Sequence, residues 1–184
     1  MRWAAWSGAE DGLEHVELLS QPTGIRAAGA VVGSTERGAF GLSYRLVLDD
    51  RWRVREAEFA TTSGLRLAIS ANREGTWRDE HGTLTEVAGC IDIDIEATPF
   101  TNTLPIRRLG LAAGESAVID VAYVSLPELA LTRARQRYTC LGRRHYRFES
   151  LDSGFTADLP VDAHGLVLDY PGLFRRLAAP APSE

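Results

Sequence analysis

Hydrophobic and polar residues alternate along most of this chain, which is the two-residue period of half-buried β-strands. Clusters rich in Gly, Asp, Asn and Ser, which favour turns, separate the alternating segments after roughly ten residues each. Connections this short join antiparallel neighbours, so the sequence predicts hairpins rather than crossover helices. The clearest predicted strands are residues 42–48, 52–55, 65–69, 91–96, 117–124 and 138–148.

Two short segments depart from this alternation and predict helices. Residues 101–109 open with threonine and asparagine, which favour helix starts, carry Pro105 in the first turn and end before Gly110. Residues 170–177 form a second, shorter candidate. The sequence therefore predicts a mainly β fold with one or two short helices.

Length and composition are those of one globular domain. The chain has 184 residues, of which 45% are hydrophobic and 24% charged, and this composition excludes disordered and fibrous proteins. We predict a single domain over residues 1–177 and a disordered tail, rich in Ala and Pro, over residues 178–184. The longest apolar run, residues 27–32, is too short for a membrane span, and no signal-peptide pattern follows Met1, so we expect a cytoplasmic protein.

The charge balance narrows the classes of partner. All 20 basic residues are Arg and stand against 25 acidic residues, which gives a net charge of −5. An acidic chain has no electrostatic footprint for duplex nucleic acid or for an anionic membrane surface. The absence of Lys excludes Schiff-base chemistry, Lys-dependent phosphate loops and pyridoxal phosphate attachment. Cys90 and Cys140 are too few for a disulfide scaffold, and we expect them to be buried thiols.

Three predicted strands carry charges of a single sign on their outward faces, at every second position. One interpretation is that rows of Arg face carboxylates across the sheet, since like charges two positions apart repel unless opposite charges face them. The other, for the acidic strand, is a divalent metal site or a catalytic carboxylate pair. The three sets are Asp92, Asp94 and Glu96; Arg51, Arg53 and Arg55; and Arg133, Arg135 and Arg137.

The sequence contains no motif of nucleophilic, nucleotide-dependent or metal chemistry. There is no Gly-x-Ser-x-Gly elbow and no glycine-rich phosphate loop. We therefore expect no cofactor, no metal and no enzymatic activity. The four histidines stand singly rather than at ligand spacing, at His15, His81, His145 and His164.

The chemically densest stretch is residues 89–109, where the acidic strand meets the predicted helix. Hydroxyl and amide side chains, an Arg pair and Phe100 collect there, as in a site that holds a polar headgroup or a sugar beside an apolar surface. Capping and turn chemistry at the junction explains the same residues equally well. The tryptophan side chains also have two possible roles, since they could line a sugar site or fill the core. These residues are Trp3, Trp6, Trp52 and Trp77.

A signature runs through this stretch. It reads Cys-Ile-Asp-Ile-Asp at residues 90–94 and Thr-Pro-Phe-Thr-Asn-Thr-Leu-Pro-Ile-Arg-Arg-Leu at residues 98–109. Further segments accompany it at residues 121–124, 136–138, 162–167 and 169–171, and towards the N-terminus at Trp6, Gly8, residues 44–46, Asp49 and residues 52–55. Together these segments resemble the bacterial "putative glycolipid-binding" family. The resemblance implies a spiral β-roll, in which a long antiparallel sheet wraps around a single helix, and it implies homodimers.

Three functions stay open. The first is a noncatalytic protein that binds a glycolipid or a fatty-acyl ligand, with the apolar part of the ligand in a cleft between sheet and helix. The second is a homodimeric structural or interaction protein with a filled core. The third is a hydrolase or isomerase of an amphiphile, which would use Asp92, Asp94, Cys140 or His145. For the first, the expected ligand-binding residues are Asp94, Phe100, Thr101, Asn102, Thr103, Arg107, Arg108, Tyr123, Gln136 and Tyr138.

Overall fold

β-strands dominate the computed structural model, which describes residues 1–178. The described residues include one α-helix, α1 (Thr103–Leu109), and two 3-10 turns, at Thr85–Val87 and Phe100–Asn102. The strands are β1 (Arg2–Ala5), β2 (Gly12–Gln21), β3 (Gly24–Thr35), β4 (Gly38–Leu48), β5 (Val54–Thr61), β6 (Arg66–Ala71), β7 (Trp77–Asp79), β8 (Gly82–Thr83), β9 (Asp92–Ile95), β10 (Ser116–Ser125), β11 (Ala130–Gly142), β12 (His145–Ser150), β13 (Thr156–Pro160), β14 (Asp169–Tyr170) and β15 (Phe174–Arg176).

The larger sheet has ten strands in the order β14-β15-β1-β2-β3-β4-β5-β6-β7-β8. From β1 to β8 each strand pairs antiparallel with the next along the chain, as the short connections predict. Strand β15 then returns to the start of the chain and pairs with β1, so that Arg176 lies opposite Trp3. The two ends of the described chain are therefore joined in one sheet.

The smaller sheet has five strands in the order β13-β12-β11-β10-β9. Strands β9 and β10 are parallel, with Asp92 opposite Val121. A parallel pair needs a crossover connection, and α1 provides it. The prediction of hairpins throughout is wrong here, because alternation identifies a strand without giving its direction.

Helix α1 lies between two hydrophobic clusters. Leu104 belongs to the larger cluster, which also contains the fully buried Trp3 and Trp77. Ile106 belongs to the smaller cluster, which includes Tyr138 of β11. Residues two positions apart point to nearly opposite sides of a helix. This short helix therefore connects the cores of the two sheets.

The mainly β class and the helix at residues 101–109 are confirmed. The first residues of that segment belong to the 3-10 turn, and Gly110 ends α1 in the left-handed conformation, with φ 57°. The second helix, predicted over residues 170–177, is wrong: a turn leads there into β15, in which Phe174 pairs with Ala5 of β1. A helix of so few residues is only marginally stable by itself, so the hydrogen bonds of sheet pairing decide the structure of this segment.

Eight of the fifteen strands in the described residues are not among those predicted from the alternation: β1 to β3, β7, β8 and β13 to β15. In β3 many residues are Ala or Gly, so hydrophobic and polar side chains do not alternate clearly. Residues 179–184 of the predicted disordered tail lie outside the described residues. Within residues 1–178 no helix has the length and apolar character needed to cross a membrane, and the cytoplasmic location stays a prediction.

Candidate functional site

The acidic strand β9 does not present all its charges to solvent. Asp92 is fully buried, and its Oδ2 accepts a hydrogen bond from Arg108 Nη2 of α1 at 2.5 Å. Burial raises the pKa of Asp92, and the Arg108 guanidinium opposes that rise. The prediction of an outward-facing carboxylate is wrong for Asp92, because the crossover helix covers this face of the strand. Arg108 therefore anchors α1 to β9.

The row of Arg133, Arg135 and Arg137 faces carboxylates at two of its positions, as the cross-strand interpretation predicts, whereas Arg53 and Arg55 pair with Asp49, which is close in sequence and not across the sheet. Arg137 lies directly opposite Glu149 of β12, at an N to O distance of 3.2 Å. Arg133 reaches Asp120 of β10 at 3.4 Å. These side chains are partly exposed, so each pair contributes at most about 1 kcal/mol to stability.

Asp94, the next acidic residue of β9, is held by neutral donors. The Thr101 hydroxyl donates to Oδ1 at 2.9 Å, and Gln136 of β11 donates Nε2 to Oδ2 at 2.6 Å. Burial raises the pKa of Asp94, while these two hydrogen bonds lower it. The carboxylate is thus fixed in orientation, and it has no cationic partner among residues 1–178.

A second group of hydrogen bonds supports Gln136. The hydroxyl of Tyr138, fully buried on β11, donates to Asn102 Oδ1 at 2.9 Å and lies 3.4 Å from Gln136 Oε1. Asn102 in turn donates Nδ2 to the Pro99 carbonyl at 3.3 Å. Asn102 is the N-cap residue of α1 but makes no capping hydrogen bond with its side chain. The amide therefore joins the 3-10 turn to the sheet rather than ending the helix.

Asp94, Asn102 and Gln136 line a cavity of about 430 Å³, called the Asp94 cavity below. Its size is that of a small-molecule site. Tyr123 of β10 and Tyr170 of β14 also line it, and their hydroxyls have no hydrogen-bond partner among residues 1–178. Burial raises the pKa of both phenols, and the nearby Asp94 carboxylate contributes to each rise. Two unpaired donors thus lie close to a fixed carboxylate.

The apolar part of the Asp94 cavity is aromatic. Phe148 of β12, Phe155 and Tyr170 pack against one another with ring centroids 6.0 to 6.3 Å apart. The interplanar angles lie between 42° and 70°, in tilted and edge-to-face contacts. The rings therefore form a rigid apolar surface beside the polar groups.

A second cavity, of about 370 Å³, adjoins the first and is called the Trp6 groove below. The two cavities share Glu96, Leu173 and Phe174 in their linings. Apolar side chains of the Trp6 groove reach the surface: Trp6 is 39% exposed, Val32 59% and Leu173 42%. The groove is therefore an accessible apolar surface that lies beside the Asp94 cavity.

Glu14 of β2 lines the buried side of the Trp6 groove and is only 2% exposed. Tyr44 donates its hydroxyl to Oε1 and Thr98 donates to Oε2, both at 2.7 Å. Burial raises the pKa of Glu14 to about 7, although both hydrogen bonds lower it. Sequence reasoning missed this residue. The indication in the sequence is its position: Glu14 lies two residues before Val16 and therefore on the same face of β2, which is buried.

The Asp94 cavity gathers part of the residue set predicted from the sequence. Thr101 and Tyr138 contact its lining residues through the hydrogen bonds described above. Phe100 and Thr103 are fully buried and line neither cavity, and the Thr103 hydroxyl has no partner among the described residues. The predicted residues that line the cavity are Asp94, Asn102, Tyr123 and Gln136.

Arg107 and Arg108 line a separate cleft of about 450 Å³. The Arg107 guanidinium lies over the Trp52 ring, 4.7 Å from its centroid. Arg108 is bound to Asp92. Neither Arg is part of the Asp94 cavity, so the structure divides the predicted site between two places.

The residues considered for catalysis do not converge. Cys140 is buried and donates Sγ to the carbonyl of Gly142 at 3.4 Å, while His145 is exposed at the start of β12. Within the part of the chain that the structure describes, no three His, Cys, Asp or Glu residues form a group that could hold a metal ion.

Sequence and fold are shared with other proteins. A family model described as "Putative glycolipid-binding" matches residues 1–176. The chain is similar to a solved structure of a DUF1089 family protein from Pseudomonas aeruginosa, with 43% sequence identity and a TM-score of 0.80. The match covers 89% of this chain and 92% of that chain. A search of the curated proteins found no match.

Proposed function

The chain belongs to the "Putative glycolipid-binding" family, and from that premise we propose that it is a noncatalytic protein that binds one amphipathic glycolipid. In this proposal the sugar headgroup lies in the Asp94 cavity and the acyl chain lies in the Trp6 groove. The family description names the class of ligand, while the two cavities supply a place for each of its parts.

The observation that carries the proposal is the junction between the two cavities. Glu96, Leu173 and Phe174 line both, so the two cavities lie side by side, and we place one molecule across them. Both cavities have extensive apolar surface, but hydrogen-bonding side chains are more frequent in the lining of the Asp94 cavity, whereas Trp, Val, Leu and Phe line the Trp6 groove. The Asp94 cavity therefore suits the headgroup of an amphipathic molecule better than the groove does.

The exposed side chains of the Trp6 groove favour an apolar occupant. Contiguous apolar surface on a protein marks an interaction site more often than single exposed residues do. Trp6, Val32 and Leu173 meet that description because they line one groove. Each methylene that leaves water on entering such a groove contributes about 0.8 kcal/mol to binding.

The test uses decyl β-glucoside, below its micelle concentration, as a probe in isothermal titration calorimetry. We expect saturable binding by the unmodified protein and at least tenfold weaker binding by Leu173→Asp, because a carboxylate in the groove opposes entry of the alkyl chain. Leu141→Asp is the matched control, since Leu141 is 43% exposed and lies outside both cavities. Absence of binding to the unmodified protein, or equal binding by both variants, would contradict the proposal.

A second function is favoured by the same exposed residues. A second copy of the chain could cover Trp6, Val32 and Leu173, and the protein would then act as the homodimer expected from the sequence. Light scattering after size-exclusion chromatography separates the two functions. A dimer that Leu173→Asp dissociates and Leu141→Asp preserves would favour the homodimeric role, and a monomeric unmodified protein would exclude it.

A further inference from the structure

We infer that the Asp94 cavity selects an uncharged polyhydroxyl headgroup, a neutral sugar, against anionic headgroups. The inference rests on the proposed function and specifies its ligand. It follows from the hydrogen-bond donors and acceptors that line the cavity and from the sign of its charges.

Donors and acceptors both line the cavity. The hydroxyls of Tyr123 and Tyr170 are donors without a partner among residues 1–178, and Asp94 and Gln136 supply acceptor oxygens beside them. Each oxygen of Asp94 takes one hydrogen bond from the protein and keeps capacity for another. A sugar hydroxyl donates and accepts at once, whereas an anion only accepts and a cation only donates. A mixed lining therefore matches a polyol.

The charges of the cavity oppose an anion. Asp94, Glu96 and Asp152 are its charged lining residues, and no Arg or His is among them. Glu96 is paired with Arg37 at 2.6 Å, so that guanidinium is already committed. A phosphate or carboxylate headgroup would lose its hydration and meet carboxylates without a free cation, which is costly in a partly buried site.

The aromatic residues add an apolar boundary to the cavity. The rings of Phe148, Phe155 and Tyr170 pack against one another at interplanar angles of 42° to 70°. An apolar boundary beside polar groups suits a sugar ring, which has carbon-bound hydrogens as well as hydroxyls.

The supporting hydrogen bonds make the polar groups rigid before a ligand enters. Thr101 fixes one oxygen of Asp94 and Gln136 the other, while Tyr138 and Asn102 hold the opposite side of the network. A site whose groups are already oriented loses less entropy on binding. We therefore assign Thr101, Asn102 and Tyr138 as positioning residues for the sugar contacts.

The experiment compares two probes with one tail: decyl β-glucoside and decyl phosphate, each below its micelle concentration. Calorimetry should give at least tenfold tighter binding for the glucoside than for the phosphate. Asp94→Asn should weaken glucoside binding about tenfold and reduce the discrimination against the phosphate. Asp120→Asn is the matched control, since Asp120 is a partly exposed carboxylate of β10 outside both cavities.

The outcomes separate this inference from the proposed function. Equal affinity for both probes, lost in Leu173→Asp, would overturn the headgroup inference and leave lipid binding intact. Tighter binding of the phosphate would also overturn it. Binding of neither probe would overturn both. Tyr123→Phe is the second variant, because it removes a hydroxyl with no partner in the described protein, and a three- to tenfold loss for the glucoside alone is expected.

Discussion

Tyr44 donates its hydroxyl to the buried carboxyl group of Glu14 at 2.7 Å, across the strand that lies between them. Glu14 is on β2 and Tyr44 on β4, and Gly29 of β3 stands opposite Tyr44 in the register. A Cβ at Gly29 would lie 2.2 Å from Cζ of the Tyr44 ring. The hydrogen bond thus depends on a glycine that leaves room for the ring.

The substitution Glu14→Gln should reduce the pH dependence of stability. Burial raises the pKa of Glu14 from 4.5 to about 7. In the unfolded chain the carboxyl ionises first, so the folded state loses stability as pH rises from about 4.5 to about 7. That gap corresponds to roughly 3 kcal/mol. Urea unfolding at pH values on either side of this window should show a smaller decline in Glu14→Gln than in the unmodified protein, because the raised pKa values of Asp92 and Asp94 still contribute to the decline in the variant.

Glu17→Gln is the control for that experiment, because Glu17 lies on the same strand with an exposed side chain. It should retain the pH dependence of the unmodified protein. If Glu14→Gln and the unmodified protein lose the same stability across the window, Glu14 is not the group that titrates.

The substitution Gly29→Ala should destabilise the protein. The added methyl overlaps the Tyr44 ring, which is buried and cannot move without breaking its bond to Glu14. Overpacking of this kind costs about 1–3 kcal/mol, and loss of the hydrogen bond adds to it. Thermal unfolding measures the change. Gly33→Ala on the same strand should be neutral, since its nearest contact would be an ordinary 3.4 Å, and equal loss in both variants would contradict the explanation.

The substitution Arg108→Met should cost about 3–5 kcal/mol of unfolding free energy, because it leaves the Asp92 carboxylate buried without a partner. Adding Asp92→Asn should recover part of the loss. The neighbouring Arg107→Met is the control: Arg107 is exposed and stacks on Trp52, a contact worth about 0.5–1 kcal/mol. Comparable losses for the two single variants, measured by urea unfolding, would argue against a structural ion pair.

The substitution Asp49→Asn should reduce stability at neutral pH and have little effect in strong acid. Burial alone would raise the pKa of Asp49, but hydrogen bonds from Arg55, Arg53 and the Arg51 amide lower it to about 2. The stabilisation is present above pH 3.8 and is lost as pH falls through about 2. We expect about 2 kcal/mol at pH 7. If Asp49→Asn loses the same stability at low pH as at neutral pH, the loss comes from a change in packing and not from the charge of the carboxylate.

Strand positions and the helix could be read from local sequence, because side-chain alternation and capping residues act within a few positions of one another. The segment at residues 101–109 shows this, since its threonines, Pro105 and Gly110 all lie within one short stretch. The direction of β9 could not be read in this way, because a parallel and an antiparallel strand alternate alike.

Part of the candidate site was also visible in the sequence. Asp94, Asn102, Tyr123 and Gln136 were selected for their chemistry and for the family resemblance, and they meet in one cavity. Tyr170 could not be placed because its segment was expected to be a helix, whereas pairing between β14 and β15 makes it part of a strand. Glu14 could not be recognised because its burial and its hydrogen bonds with Tyr44 and Thr98 arise between segments that are distant in the chain.

The sequence by itself therefore determined the β class, the helix and the type of chemistry at the junction after β9. Only the tertiary structure decided which carboxylates are buried, which arginines pair with them, and that the Asp94 cavity and the Trp6 groove share Leu173 in their linings. The reason is physical: alternation and capping are properties of neighbouring residues, while burial, ion pairing and cavities arise between segments that the chain separates and the fold brings together.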